Sequence, residues 1–116
     1  MFLKTSSWRQ AGLLSGSSYT VPPISGVYAI GKPIDVSGLP SKMQWVYVGR
    51  TNDLSRRLSE HEPINEVNIE LRDWVVANLT SAEAWYTIAV PEIAKDLEIK
   101  LVRALKPKFN RIRYVA

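Results

Sequence analysis

The chain has 116 residues, no cysteine, and a formal charge of +4 from 15 basic and 11 acidic side chains. That length suits one domain, which buries about two-thirds of its unfolded surface. A 46% hydrophobic content with four tryptophans supplies a core and excludes a wholly disordered chain. Without cysteine there is no disulfide, thiolate metal site or cysteine nucleophile. No apolar run approaches the ~20 residues that span a bilayer. The segment Met1 to Gly16, with one short patch at Ala11-Gly12-Leu13-Leu14, is too weakly apolar for a secretory signal. A cytoplasmic protein with no membrane partner is the expectation.

Taken in chain order, residues 1–20 are rich in Ser and Gly and read as an N-terminal extension, with one short helical turn over Trp8 to Leu14. The domain proper spans 21–116. Pro22-Pro23 fixes the approach to a first strand, Ile24 to Ile30. Pro33, Gly38 and Pro40 mark Gly31 to Gln44 as a loop, and Trp45 to Gly49 is the second strand of a hairpin. Alternation puts Tyr28 and Ile30 on one face of the first strand, and Trp45, Tyr47 and Gly49 on one face of the second. Antiparallel pairing brings the two tyrosines to the same side if the register is right.

Thr51-Asn52-Asp53 is an N-cap cluster for a helix from Asp53 to His61, closed by Pro63. Asn65 or Asn68 caps a second helix reaching Leu79. Ala84 to Val90, aromatic and β-branched, reads as a strand. A last helix runs from Pro91 to Leu105, with proline in its first turn and Pro107 beyond its end. The order β-β-α-α-β-α defines an α/β class: a small sandwich with a central, largely antiparallel three-stranded sheet flanked by helices.

Charge is concentrated locally. From Lys95 onward seven basic residues face Asp96 and Glu98, a net of +5, and Arg50, Arg56 and Arg57 form a second group. Such tracts suit phosphate binding, and equally a solvated helix face. Glu98 stands out. On a helical wheel it falls inside the apolar arc formed by Ile93, Ala94, Leu97, Leu101, Val102, Ala104 and Leu105. An inward carboxylate needs a cation or several donors. A core-edge arginine is one solution, and a hard metal ion such as Mg²⁺ is the other. In the first helix Arg57 and His61 are an i,i+4 pair bordering the side buried by Leu54 and Leu58, while Arg56 and Glu60 lie further round. His61 at a helix C-terminus also reads as a simple dipole-stabilising cap. Either tyrosine alone also reads as core filling, and Asn110 as a turn residue.

In their joint order these residues resemble the GIY-YIG nuclease superfamily, over Ile24 to Asn110. Gly26-Val27-Tyr28 and Tyr47-Val48-Gly49 stand for its two signatures, with valine for isoleucine in both. An arginine follows the second tyrosine by ten positions, Arg57, and a histidine follows four further on, His61. Glu98 on a later helix and Asn110 in Pro107-Lys108-Phe109-Asn110 complete the pattern. The stretch from Tyr47 to Leu58 is similar to the repair-nuclease branch, and the set also to homing endonucleases. The tyrosines are separated by nineteen positions, more than in family hairpins, which adds a projecting element between the strands. No separate DNA-binding domain fits in the length.

The resemblance implies a metal-dependent endonuclease hydrolysing DNA phosphodiesters, in DNA repair or recombination. Glu98 would hold one Mg²⁺ or Mn²⁺ and Arg57 would stabilise the transition state. Tyr28 is the preferred base, Tyr47 an orienting donor, and His61 an assistant. A free phenol with a pKa of about 10 is a poor base at neutral pH, so the base needs cations to depress it. Arg50, Lys108 and Asn110 would bind substrate, and Gly26 and Gly49 shape the motif. Double-stranded or branched DNA is the implied partner, with a protein partner as a source of specificity. The rival readings are a nucleic-acid-binding module that keeps the fold without turnover, and a domain that recruits a partner nuclease.

Overall fold

The computed structural model describes residues 8–13, 21–61 and 66–110. Its elements in order are β1 (Arg9–Leu13), β2 (Gly26–Val36), β3 (Leu39–Thr51), α1 (Leu54–Glu60), α2 (Ile69–Ala77), β4 (Glu83–Ile88) and α3 (Pro91–Leu105). The α/β class holds, but the sheet has four strands, in the order β1-β4-β2-β3, all neighbours antiparallel. The added strand is β1. Its pairing with β4 replaces the helical turn expected near Trp8. Pro63, Asn65, Arg111 and Arg113 lie outside the described residues.

Each helix begins where a side chain or a proline accounts for free backbone donors. The Asp53 carboxylate accepts from the Arg56 N–H at 3.0 Å, and Asn68 Oδ1 accepts from the Leu71 N–H at 3.3 Å. Pro91 opens α3, and Lys106 closes it in the left-handed region at φ 47°. The sheet is covered on both sides. Tyr28, Ile30, Val46, Leu54, Leu58, Leu71 and Val75 form the core under α1 and α2. Val27, Ala29 and Val48 pack against Ala94 and Val102 of α3. On that second side Trp8, Trp45 and Trp85 border an apolar pocket of about 360 Å³ closed by Leu101 and Leu105.

Two local features depart from the sequence expectation. The segment Gly31 to Gln44 is a two-stranded ribbon, not a loop. It turns at Ser37-Gly38, both at positive φ (53° and 84°), as a tight two-residue hairpin turn requires. Beyond Gly31, β2 is paired with β3 alone, the setting in which a strand tolerates Pro33. The second departure is a bulge. Ile30 stands opposite Tyr47 but Gly31 stands opposite Trp45, so Val46 is an extra residue. Trp45 therefore faces α3, edge-on to Trp85, while Tyr47 stays on the Tyr28 side.

Tyr28 pairs with Gly49 across the hairpin, and its ring lies over that glycine. A Cβ added at position 49 would sit 2.3 Å from the Tyr28 hydroxyl and 2.5 Å from its Cζ. The ring is buried, and its hydroxyl is held by His61. Gly49→Ala is expected to lower stability by about 1–3 kcal/mol through overpacking, read as a reduced urea midpoint with an unchanged slope. An unaltered midpoint would contradict this packing.

Candidate active site

The hairpin and α1 bring three rings into mutual contact. Ring centroids of Tyr28 and Tyr47 are 6.2 Å apart, and His61 lies 5.2 Å from the first and 5.1 Å from the second. Leu54 and Leu58, fully buried, seat α1 so that its C-cap residue, His61, is carried into the core. There the imidazole is 1% exposed and Tyr28 also 1%. His61 is therefore more than an exposed helix cap.

A buried hydroxyl and imidazole need partners, and both have them. The Tyr28 hydroxyl is 2.9 Å from His61 Nε2, and His61 Nδ1 is bonded to Glu66 Oε1. The second oxygen, Glu66 Oε2, accepts from the Asn68 N–H at 2.9 Å. An ionised carboxylate only accepts, so Nδ1 carries the ring proton and Nε2 accepts from the Tyr28 hydroxyl. Burial raises the pKa of Glu66, but hydrogen bonds from His61 and from the Asn68 N–H, with the electrostatic pull of His61 and Arg57, outweigh it; the net shift is downward. At Tyr28 burial is the largest influence. Together with Tyr47 it holds the phenol well above its ordinary value, against the pull of Arg57. The expected depression of a tyrosine by neighbouring cations is thus not met at Tyr28. Tyr47, only half-buried, is the phenol nearer to solvent.

Arg57 reaches toward the same pair of tyrosines and donates to Glu60 Oε1 at 2.9 Å. Burial opposes its charge, but Tyr28, Glu60 and Tyr47 outweigh that, and its pKa rises. Arg56 turns outward, to within 3.7 Å of the same Glu60.

Arg50 and Glu98 form a second group. Arg50 follows Gly49 and so points to the α3 side of the sheet, where its Nε donates to Glu98 Oε1 at 3.2 Å. The Glu98 side chain is 14% exposed, which agrees with its inward position on the helical wheel. The pair lines a cleft of about 420 Å³ together with Ser25, Thr51, Asn52, Pro91 and Ala94. The tyrosines and Glu98 thus approach β3 from opposite faces, at consecutive residues Gly49 and Arg50. Among the described residues no group of three or more His, Asp or Glu side chains gathers. Of the residues lining the cleft, Glu98 is the one carboxylate and its Oε1 is held by Arg50, while the Thr51 hydroxyl is engaged by the Asp53 backbone; a hard cation there would be held by Glu98, with water and phosphate oxygens completing its shell.

The remaining expected residues are structural or peripheral. Asn110 Oδ1 accepts from the Val48 N–H at 2.9 Å and its Nδ2 donates to the Val48 carbonyl at 2.7 Å. The Phe109 N–H donates to the Val46 carbonyl, so this segment extends the β3 ladder. Both Asn110 amide groups are occupied, which makes it a brace for β3. Gly26 is required by close approach, since a Cβ there would lie 2.3 Å from the Thr87 carbonyl oxygen. Lys108 is exposed, its amine 5.5 Å from the Phe109 ring centroid.

Sequence reasoning missed Glu66 and read Asn68 only as one of two alternative helix caps. Glu66 sits in a mainly acidic stretch where a single carboxylate carries no local signal. The nearest clue is that Asn68 is a helix cap, which fixes the backbone donor that Glu66 accepts. No family model, curated protein or solved structure matches the chain. No helix among the described residues is long and apolar enough to cross a membrane.

The two shifted groups act on stability in opposite directions. Glu66, lowered in the fold, stabilises above its unfolded value of about 4.3, and that contribution is lost as pH falls through the folded one. Tyr28, raised in the fold, stabilises below about 10, and that contribution is lost as pH rises toward its folded value. Melting temperature should therefore plateau near neutrality and fall on both sides. Glu66→Gln should flatten the acid side, and Tyr28→Phe the alkaline side, in pH-resolved thermal melts.

Proposed function

We propose that this chain is a metal-dependent endonuclease of the GIY-YIG type, hydrolysing phosphodiester bonds of double-stranded or branched DNA in repair or recombination. One observation carries the reading. The two signature segments pair antiparallel with Tyr28 opposite Gly49, and Tyr28, Tyr47, Arg57 and His61 converge on one side of that hairpin. Packing alone has no need for an arginine and a histidine beside two tyrosines.

Arg57 would hydrogen-bond the non-bridging phosphate oxygens as charge concentrates on them, a task suited to its planar fork. Arg50, half-exposed at the cleft, would grip a neighbouring phosphate. The Glu98 carboxylate would hold one Mg²⁺ or Mn²⁺ in the cleft, releasing Arg50 to the substrate. When bound, that cation supplies charge neutralisation at the phosphate and at the leaving 3′ oxygen. Tyr47, nearer to solvent, orients the attacking water, and the buried Tyr28 and His61 stand behind it. The ribbon from Lys32 to Gln44, with Val36 and Leu39 exposed at its tip, is a surface for DNA or for a protein partner that supplies specificity.

The Arg50–Glu98 ion pair favours a second reading. It satisfies the inward carboxylate without any metal ion, as expected of a module that binds nucleic acid or recruits a partner without turnover. Labelled supercoiled, nicked, single-stranded and branched DNA, incubated with Mg²⁺ or Mn²⁺, separates the two. Wild type is expected to give metal-dependent products, and Glu98→Ala and Arg57→Ala to lose about 100-fold or more while binding persists. DNA binding with no cleavage under either metal would support the binding module.

A further inference from the structure

The polar chain behind the tyrosines ends in a residue that the nuclease reading does not use. Glu66 is 7% exposed, and both its oxygens are held in place. Its position fixes which His61 nitrogen bears the proton, and the free lone pair of Nε2 is aimed at the Tyr28 hydroxyl. Tyr47 is the next ring toward solvent, stacked on Tyr28 with ring centroids 6.2 Å apart, and both it and Arg57 act electrostatically on the Tyr28 phenol. We infer, resting on the nuclease reading above, that Glu66 is the positioning residue of a buried proton relay, Tyr47–Tyr28–His61, in which His61 is the terminal acceptor of the proton of the attacking water.

The step balances with both phenols neutral before and after. As the water oxygen bonds to phosphorus, one of its protons passes to Tyr47 Oη. Tyr47 passes its own proton to Tyr28 Oη, and Tyr28 passes its own to His61 Nε2. The phosphorus–O3′ bond breaks, and its electron pair leaves on the 3′ oxygen, which takes a proton from solvent. The imidazolium keeps its Nδ1 proton on the Glu66 carboxylate, so the new positive charge faces an anion. It then returns its Nε2 proton to solvent by the reverse path.

This route removes a difficulty. Tyr28 is held well above its ordinary pKa, so a lasting tyrosinate there is out of reach at neutral pH. The groups facing His61 are Tyr28 from β2, Tyr47 from β3, Arg57 on its own helix and Glu66 from the segment that precedes α2. Of these only Glu66 is an anion, so it alone stabilises the imidazolium through charge.

The test is the pH–rate profile of branched-DNA cleavage with Mg²⁺ or Mn²⁺, using the full chain and the variants Glu66→Gln, Glu66→Asp, Tyr28→Phe and Glu66→Gln/Tyr28→Phe. Removing the anion makes the imidazolium harder to form, so Glu66→Gln should shift the acid limb to lower pH and cut the rate about tenfold or more. Glu66→Asp should restore part of the rate with the limb near its wild-type position. The double variant should be no worse than Tyr28→Phe, because residues acting as one unit are not additive. An unshifted limb in Glu66→Gln, or losses that multiply in the double variant, overturns the relay while leaving an active nuclease. Should Glu66→Gln not fold by circular dichroism, Tyr28→Phe decides: it keeps the ring, and an acid limb unchanged in that variant also overturns the relay. No cleavage by wild type removes the nuclease reading and the relay together.

Discussion

The constraint on which this structure depends is the placement of a phenol hydroxyl inside an apolar core. Tyr28 lies over the backbone of Gly49 with almost no exposure, so its O–H requires a buried partner. His61 meets it, Glu66 meets His61, and the Asn68 N–H meets Glu66. Asn68 also caps α2 and donates to the Phe109 carbonyl at 3.1 Å. Phe109 and Asn110 then return to β3 at Val46 and Val48, on either side of Tyr47. The circuit closes on the strand that carries Gly49. No buried side-chain polar atom among the described residues lacks a partner. Removing one link would leave its neighbour unsatisfied, at about 1–3 kcal/mol. The site and the fold are therefore stabilised by the same network.

Much of that arrangement was legible in the sequence. The cap residues Asp53 and Asn68 and the prolines at 91 and 107 delimit the helices by local chemistry. The inward position of Glu98 follows from helical spacing alone, as does the turn of Arg57 and His61 to one side of α1. What was not legible depends on partners distant in sequence. β1 forms because β4 offers a free edge, which its Ser/Gly-rich surroundings conceal. The ribbon beyond Gly31 contains the residues that usually break strands, and forms because one of its sides needs no neighbour. The extra residue at Val46 has no sequence signal, yet it alone sends Trp45 and Tyr47 to opposite faces. Glu66 acquires meaning only once α1 has carried His61 into the core.

The candidate site is divided by β3. On one side stand the tyrosines, Arg57 and the buried histidine, and on the other Arg50 with Glu98. On the tyrosine side the carboxylates Glu60 and Glu66 are engaged by Arg57 and His61, and on the other the Glu98 carboxylate is engaged by Arg50. The two groups meet at Gly49-Arg50, where consecutive residues serve opposite faces. In the nuclease reading the Arg50–Glu98 pair is the resting state that substrate and cation exchange, and in the binding reading it is permanent.

The central claim is that the proton of the Tyr28 hydroxyl is directed at His61 Nε2 because Glu66 fixes the tautomer. The chain contains one histidine, so its imidazole nitrogens can be observed by ¹⁵N NMR without assignment. The neutral ring is expected to be protonated at Nδ1, with Nε2 showing the shift of a hydrogen-bonded acceptor, and that signature to change in Tyr28→Phe. A ring protonated at Nε2, or one exchanging between both tautomers at neutral pH, would contradict it.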